Sequence, residues 1–267
     1  MMMMDWAQTV KPLAGAKPGL YVNVPSKADL LADLRAHFEE RRGFCVATLN
    51  LDHVVQIRNN SEFYKFYQQH SHITADGNPI VWLSRLARQD VHLVPGSELI
   101  EPLVEIAAQT DTPIALFGAT QESLDRSAEV LKQRYPEAQI VARIAPQMGF
   151  DPMNDAAQTH IDTLEQSGAR LCFLALGAPR QEMFAIRLNA QVPQMGVLSI
   201  GAGLDFISGA QTRAPKLMRV FAAEWIWRLA SNPGRLARRY GACIKILPGL
   251  FWGALQCRYQ KNTQAVK

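Results

Sequence analysis

Short apolar runs of strand length alternate along this chain with longer stretches whose apolar positions recur at helical spacing. Phe44–Asn50 predicts a strand and Leu51–Gln69 the helix after it. His72–Thr74 predicts a short strand, closed by Ala75-Asp76-Gly77, with a helix over Pro79–Ala87 that carries proline in its first turn. Gly96-Ser97 opens a helix reaching about Gln109. Pro113–Phe117 predicts a strand, and Thr120 caps a helix to Tyr135, with Glu122 and Asp125 near its positive end. Gln139–Ile144, Leu171–Leu176 and Gly196–Ile200 read as further strands, separated by helices over Asp151–Gln166 and Pro179–Leu188. This β-α alternation predicts a mainly parallel sheet covered by helices on both faces, an α/β fold.

The pattern changes near residue 210. Leu217, Phe221, Trp225 and Leu229 lie four apart on one helical face, and Asn232-Pro233-Gly234 breaks that helix. Beyond it, Leu236, Tyr240, Cys243, Ile244 and Leu247 predict an apolar stripe opposite Arg235, Arg238, Arg239 and Lys245. Leu250-Phe251-Trp252 continue it past an interruption at Pro248-Gly249. The organisation expected is an N-terminal extension (1–20), an α/β core (21–210) and a basic helical C-terminal appendage (211–267).

Charge sharpens that division. From Arg213 onward there are eleven Lys/Arg against one acid, Glu224, whereas the preceding residues hold seventeen Lys/Arg against twenty-three Asp/Glu. Trp225, Trp227 and Trp252, three of the five tryptophans, lie in the basic part. Basic and aromatic together suit an anionic, partly apolar surface, with nucleic acid as the rival partner. The uncharged stretch Ile246–Cys257 is about half of what spans a bilayer, so the expectation is peripheral attachment. No apolar segment follows the opening methionines, so no signal peptide is expected. Cys45, Cys172, Cys243 and Cys257 lack metal-ligand spacing and fit a reducing compartment.

In parallel sheets ligands bind where strands end and helices begin. Asp76 follows an apolar segment and precedes glycine, which places a carboxylate at the sheet edge as a candidate base; Asp-Gly is also ordinary turn chemistry. Thr48 and Asn50 end the neighbouring strand on one face, and helix capping is their structural alternative. Gly177-Ala178-Pro179-Arg180-Gln181-Glu182 lets backbone approach a ligand closely and opens a helix whose free N–H groups suit a phosphate, with Arg180 and Gln181 as added donors. Gly118-Ala119-Thr120 and Gly201–Gly203, followed by Asp205, are similar junctions. There is no Asp-x-Asp, P-loop, HExxH, GxSxG or GxGxxG. His37, His53, His70, His72, His92 and His160 are scattered and expected mostly on surfaces or helix faces. A nucleotide-sugar enzyme of this kind would stabilise its leaving group with helix dipoles and arginines.

Taken in order, Thr48-x-Asn50, Ala75–Trp82 (ADGNPIVW), Gly96–Leu99 (GSEL), Phe117–Thr120 (FGAT), Gly177–Glu182 (GAPRQE) and Gly201–Gly209 (GAGLDFISG), then RAPK and EWIWRL, resemble the WecG/TagA/CpsF glycosyltransferases, glycosyltransferase family 26. The resemblance covers about Phe44–Tyr240. It implies a Rossmann-like sheet with a membrane-attaching appendage, and an inverting enzyme needing neither metal nor cofactor. It implies transfer from a UDP-sugar donor to a polyprenyl-diphosphate-linked saccharide, at the cytoplasmic face of the inner membrane, for a cell-surface glycan. Asp76 becomes the general base. Thr48 and Asn50 stand beside the donor sugar, Gln181 contacts the donor, and Arg213, Arg219 and Arg228 offset the diphosphate charge. With Gly77, Gly118, Gly177 and Arg180, these complete the expected substrate-binding set. No nucleic-acid partner is implied, and a homo-oligomer is compatible.

The chain departs from the family pattern in two places. Relatives often read Arg-Val-x-Gly-x-Asp-Leu where Leu93–Leu99 stands here, and Asp-Gly-Tyr-Phe where Gln147–Phe150 stands. Both changes bear on donor recognition, and make a neutral hexose such as UDP-glucose credible beside an N-acetylmannosamine type. Outside the resemblance, a Rossmann-type dinucleotide-binding oxidoreductase or nucleotide-binding module is the alternative. The missing GxGxxG counts against it.

Overall fold

The computed structural model describes residues 20, 22–212, 225, 227, 229 and 233–264. Strands with no solvent face need apolar or small residues at consecutive positions, and β1 (Phe44–Leu49), β3 (Ile114–Gly118), β5 (Leu171–Ala175) and β6 (Gly196–Ser199) meet that need. With β2 (His72–Ala75) and β4 (Ile140–Ile144) at the ends, they form one six-stranded sheet in the order β2-β1-β6-β5-β3-β4. The expectation of a mainly parallel sheet is met, and every neighbouring pair is in fact parallel. The outer side of β2 is covered: Asn23 and Val24 donate backbone N–H to Ile73 O, and Val94 donates to Ala75 O at 2.8 Å.

Alternate strand residues feed cores on opposite faces. Val46, Leu116, Phe173 and Leu198 pack against α1 (Lys27–Glu39), α5 (Ile100–Gln109), α6 (Gln121–Arg134) and α9 (Gly203–Ser208). On the other face, α2 (Leu51–Asn59), α3 (Ser61–Tyr67) and α4 (Asn78–Leu86) share an apolar core with Leu250 and Ala254. Also on that face, α7 (Ala156–Gln166) and α8 (Arg180–Gln191) pack around Phe117, Phe150 and Phe184. The last described helix, α10 (Pro233–Gln264), lies against α2 and α4.

Several elements differ from expectation for identifiable reasons. No helix is predicted before β1, yet α1 forms there: Ser26 caps it by accepting from Asp29 N, and Leu30, Leu34 and Phe38 make its buried stripe. The helix expected over Leu51–Gln69 is two, because Asn60 leaves helical geometry and its side chain accepts from Glu62 N and Phe63 N. The regular turns of α5 and α7 begin later than expected, α5 after a 3-10 turn over Gly96–Glu98. In the C-terminal part, α10 runs through Pro248-Gly249 rather than breaking there. Both residues sit on its exposed side, where water can satisfy the carbonyl that proline frees, while Leu250 and Ala254 anchor the following turns. Its buried line is Leu236, Cys243, Leu250 and Ala254, with Tyr240 and Leu247 half-buried, so Ile244, 62 % exposed, is not part of it. The four cysteines are free, with Cys45 and Cys172 inside strands as expected.

Candidate active site

In an all-parallel sheet every strand delivers its C-terminal end to one edge. Here β1 and β5 lead into helices on one face, while β6 and β3 lead into helices on the other. The chain therefore parts in opposite directions beside β6, the position at which open α/β sheets hold their ligands.

The junctions singled out in the sequence converge on that edge. Leu49 pairs with Ala75, so Asn50 and Asp76 follow neighbouring strands in register. Asp76 N donates to Leu49 O at 2.7 Å, which fixes the backbone under the carboxylate, and the residue is half-buried. Gly77 has φ of 111°, a conformation natural only to glycine, and it turns the chain into α4. Asn50 Oδ1 accepts from His53 N at 3.0 Å, so this side chain caps α2 while standing beside Gly77. Thr48 is buried, its methyl group against Gly96.

The β5–α8 junction is built differently. Gln181 is 2 % exposed, and its Oε1 accepts from Gly177 N at 3.2 Å and from Gly201 N at 3.1 Å. One amide oxygen thus ties the loop after β5 to the loop after β6. Its Nε2 donates to Glu182 Oε1 at 2.7 Å, which fixes the orientation of the amide. Glu182 is fully buried, and burial pushes its pKa up to about 7. Its Oε2 has no partner among the described residues. Arg180, by contrast, is exposed at the first turn of α8. Gly118 ends β3 against β5, where any Cβ would lie 2.6 Å from Ala175 O, and Thr120 Oγ1 caps α6. Asp205 accepts from Ser123 Oγ and Gln211 Nε2, pinning α9 to α6.

A polar layer lies beneath this edge. The buried Tyr67 hydroxyl meets His53 Nδ1 at 3.2 Å. Burial raises the Tyr67 pKa, and the charges of Glu182 and Asp76 both add to the rise. His53 is held neutral, its pKa lowered to about 3 by burial first and the Arg239 charge second. That arginine reaches in from α10 to pair with Asp52 at 2.9 Å.

Asp76, Gly77, Asn50, Thr48, Gly118, Gly177, Arg180 and Gln181 therefore occupy one edge, while Arg213, Arg219 and Arg228 lie outside the described residues. The sequence predicts the histidines mostly on surfaces or helix faces; His37 and His53 do lie on helices, and with His70 they are buried. It also missed the buried roles of Tyr67 and Glu182; only the position of Glu182, beside Gln181 in a helix's first turn, hinted at one. An open groove of about 390 Å³ between α1, α5 and Arg170 lies at the opposite edge and contains none of the motifs.

The fold is of the Rossmann-like α/β class, and its polar groups gather where such folds bind substrates. The sequence profile of the Glycosyl transferase WecG/TagA/CpsF family matches residues 18–264. The chain belongs to this family and is a glycosyltransferase. It is similar to the N-acetylglucosaminyldiphosphoundecaprenol N-acetyl-beta-D-mannosaminyltransferases of Staphylococcus aureus. With the protein of strain MW2 it shares 27% identity over 194 residues, 72% of this chain and 74% of the relative. With that of strain MRSA252 it shares 28% over the same coverage.

Proposed function

We propose that this glycosyltransferase moves a sugar from a UDP-sugar, with inversion, onto a polyprenyl-diphosphate-linked saccharide at a membrane surface. The observation that carries the reading is the placement of Asp76 and the Gly177–Glu182 turn on one edge of the parallel sheet. From β2 to β5 is three strand spacings, about 14 Å, which leaves room for a sugar diphosphate between them. The relatives' name specifies a lipid-diphosphate acceptor, which supports that acceptor class.

In this mechanism the Asp76 carboxylate takes the proton from the acceptor hydroxyl as that oxygen attacks the anomeric carbon. The bond to the UDP oxygen breaks on the opposite face of the sugar. Charge arriving on the departing diphosphate is offset by N–H groups at the start of α8, by Arg180, and by Arg213, Arg219 and Arg228. Thr48 and Asn50 border the sugar, with Gly77 and Gly118 shaping the adjoining turns. Gln181 shapes the donor pocket through the Gly177 and Gly201 loops that its amide holds together. No metal or other cofactor takes part. The donor is a hexose such as glucose, or an N-acetylmannosamine type, selected by the segments after β2 and β4, where this chain departs from its relatives.

The basic segment from residue 211 acts as the membrane-attaching appendage. Among the described residues no helix is long and apolar enough to cross a membrane. Yet α10 exposes Phe251, Trp252 and Tyr259, and its neighbour α4 exposes Trp82 at 57 %. Aromatic side chains beside Lys245 and Arg238 suit a peripheral seat on an anionic bilayer. The test is transfer from a panel of UDP-sugars to a lipid-diphosphate-linked sugar in the presence of EDTA, read by product mass. No product with any donor would sink the proposal.

A further inference from the structure

The N-terminal edge of the sheet, opposite the candidate active site, holds a second constellation. Asp33 and His37 stand one turn apart on α1, and His72 opens β2. The His72 Nε2 lies 2.8 Å from Asp33 Oδ2, and His37 Nε2 lies 3.6 Å from the same oxygen. The three ligand-type atoms fall within 4.8 Å of one another. A tetrahedral zinc with bonds of about 2.0–2.1 Å spaces its ligand atoms about 3.3 Å apart, so little movement separates this arrangement from a coordination shell.

Hydrogen bonding on the far side of each ring gives the arrangement its direction. His37 Nδ1 faces two carbonyl oxygens, Gly43 O at 3.1 Å and Arg42 O at 3.3 Å. Carbonyls only accept, so Nδ1 carries a hydrogen there and Nε2 is the ring nitrogen left facing Asp33. His72 Nδ1 meets Ser71 Oγ at 2.9 Å. That hydroxyl is already engaged by Cys45, donating to its O at 3.0 Å and accepting from its N at 2.9 Å. The hydrogen in the Ser71–His72 contact is therefore the imidazole's, and His72 Nε2, 2.8 Å from the acceptor-only Asp33 carboxylate, carries the hydrogen that a metal ion would displace. With that hydrogen released, two imidazole nitrogens and one carboxylate oxygen converge within 4.8 Å, and one metal ion can take all three. Backbone carbonyls and a hydroxyl behind the outer nitrogens are the usual means of orienting metal-bound histidines. The His37 ring is further held by edge contacts with Phe44 at 5.5 Å and His72 at 5.8 Å.

We propose that Asp33, His37 and His72 bind a divalent transition-metal ion, zinc matching best, which clips α1 to the edge strand β2. Two imidazoles and one carboxylate favour zinc and its neighbours over magnesium or calcium, which take oxygen donors. The side chain of Asp33 is 53 % exposed, so the fourth coordination position opens to water. The clip lies apart from the chemistry proposed for Asp76, at the other end of the same strand.

The test uses the full chain, carrying no histidine tag and stripped with chelator. Zinc titrated against a chromogenic chelator should bind at one equivalent per chain. It should raise the thermal midpoint by roughly 5 °C at a hundredfold excess over Kd. Cobalt should give the visible absorption of a tetrahedral nitrogen–oxygen site, without thiolate charge transfer. Asp33→Asn, a change at an exposed position that the fold tolerates, and His72→Gln should each weaken binding at least about tenfold, and Ser71→Ala by about that factor. No stoichiometric binding, undiminished affinity in both Asp33→Asn and His72→Gln, or a cobalt spectrum with thiolate charge transfer overturns the site.

Discussion

Two carboxylates stand on the same sheet edge and are treated in opposite ways. Asp76 follows β2 with its backbone pinned, and the residue is half-buried rather than enclosed. Glu182 sits in the first turn of α8, wholly buried, bonded to Gln181, with one oxygen unpartnered among the described residues. An acid that must meet a substrate hydroxyl has to be reachable. An acid that orients a neighbouring amide has to be enclosed. The difference fits the role proposed above for Asp76 and an architectural one for Glu182, although the sequence presents both simply as acids in short motifs.

The strongest way to break that comparison is Asp76→Asn. It should lower turnover about a thousandfold while leaving the urea midpoint close to wild type, as single-turnover assays and denaturation would show. Equal loss of folding would move Asp76 to the structural side. Gln181→Ala should do the reverse in kind, leaving two loop N–H groups and Glu182 without their partner. We expect about 3 kcal/mol of lost stability by urea unfolding, and lost activity that follows it.

Glu182→Gln sharpens the contrast through pH. With its pKa raised to about 7 in the fold and near 4.5 unfolded, Glu182 keeps a proton that the unfolded chain releases. Its contribution to stability therefore falls as pH rises through that window and is level above it, by about 3 kcal/mol in all. Thermal midpoints from pH 4.5 to 8 should show the wild type losing ground against Glu182→Gln up to about pH 7, then a constant gap. The smallest effect belongs to Gly77→Ala. The nearest atoms to an added Cβ are 3.9 Å away, so only the backbone penalty remains, about 2 kcal/mol by thermal unfolding.

Much of this was legible in the chain. Buried parallel strands have to be continuous apolar runs, and β1, β3, β5 and β6 announce themselves that way. Residues at strand ends, Asp76 and Asn50 among them, follow from the same reading, because the end of a run marks the edge. What stayed hidden depends on partners distant in sequence. The helical stripe of α1 is only three residues deep, and its meaning depends on α5 and β1. The burial of Gln181 follows from a loop twenty residues later. Nothing local shows that Asp33 and His72, thirty-nine residues apart, share one oxygen-to-nitrogen contact. In α10, Pro248 reads as a terminator because the sequence does not reveal which side of the helix faces water.

The parallel sheet also separates what must be kept from what can be exchanged. Its two cores lie above and below the strands, whereas Leu93 and Met148, in the two segments proposed to select the donor, are exposed. On the donor selection proposed above, the sugar handled can change at such exposed positions while both cores stay as they are, and diversity of glycans costs the scaffold almost nothing.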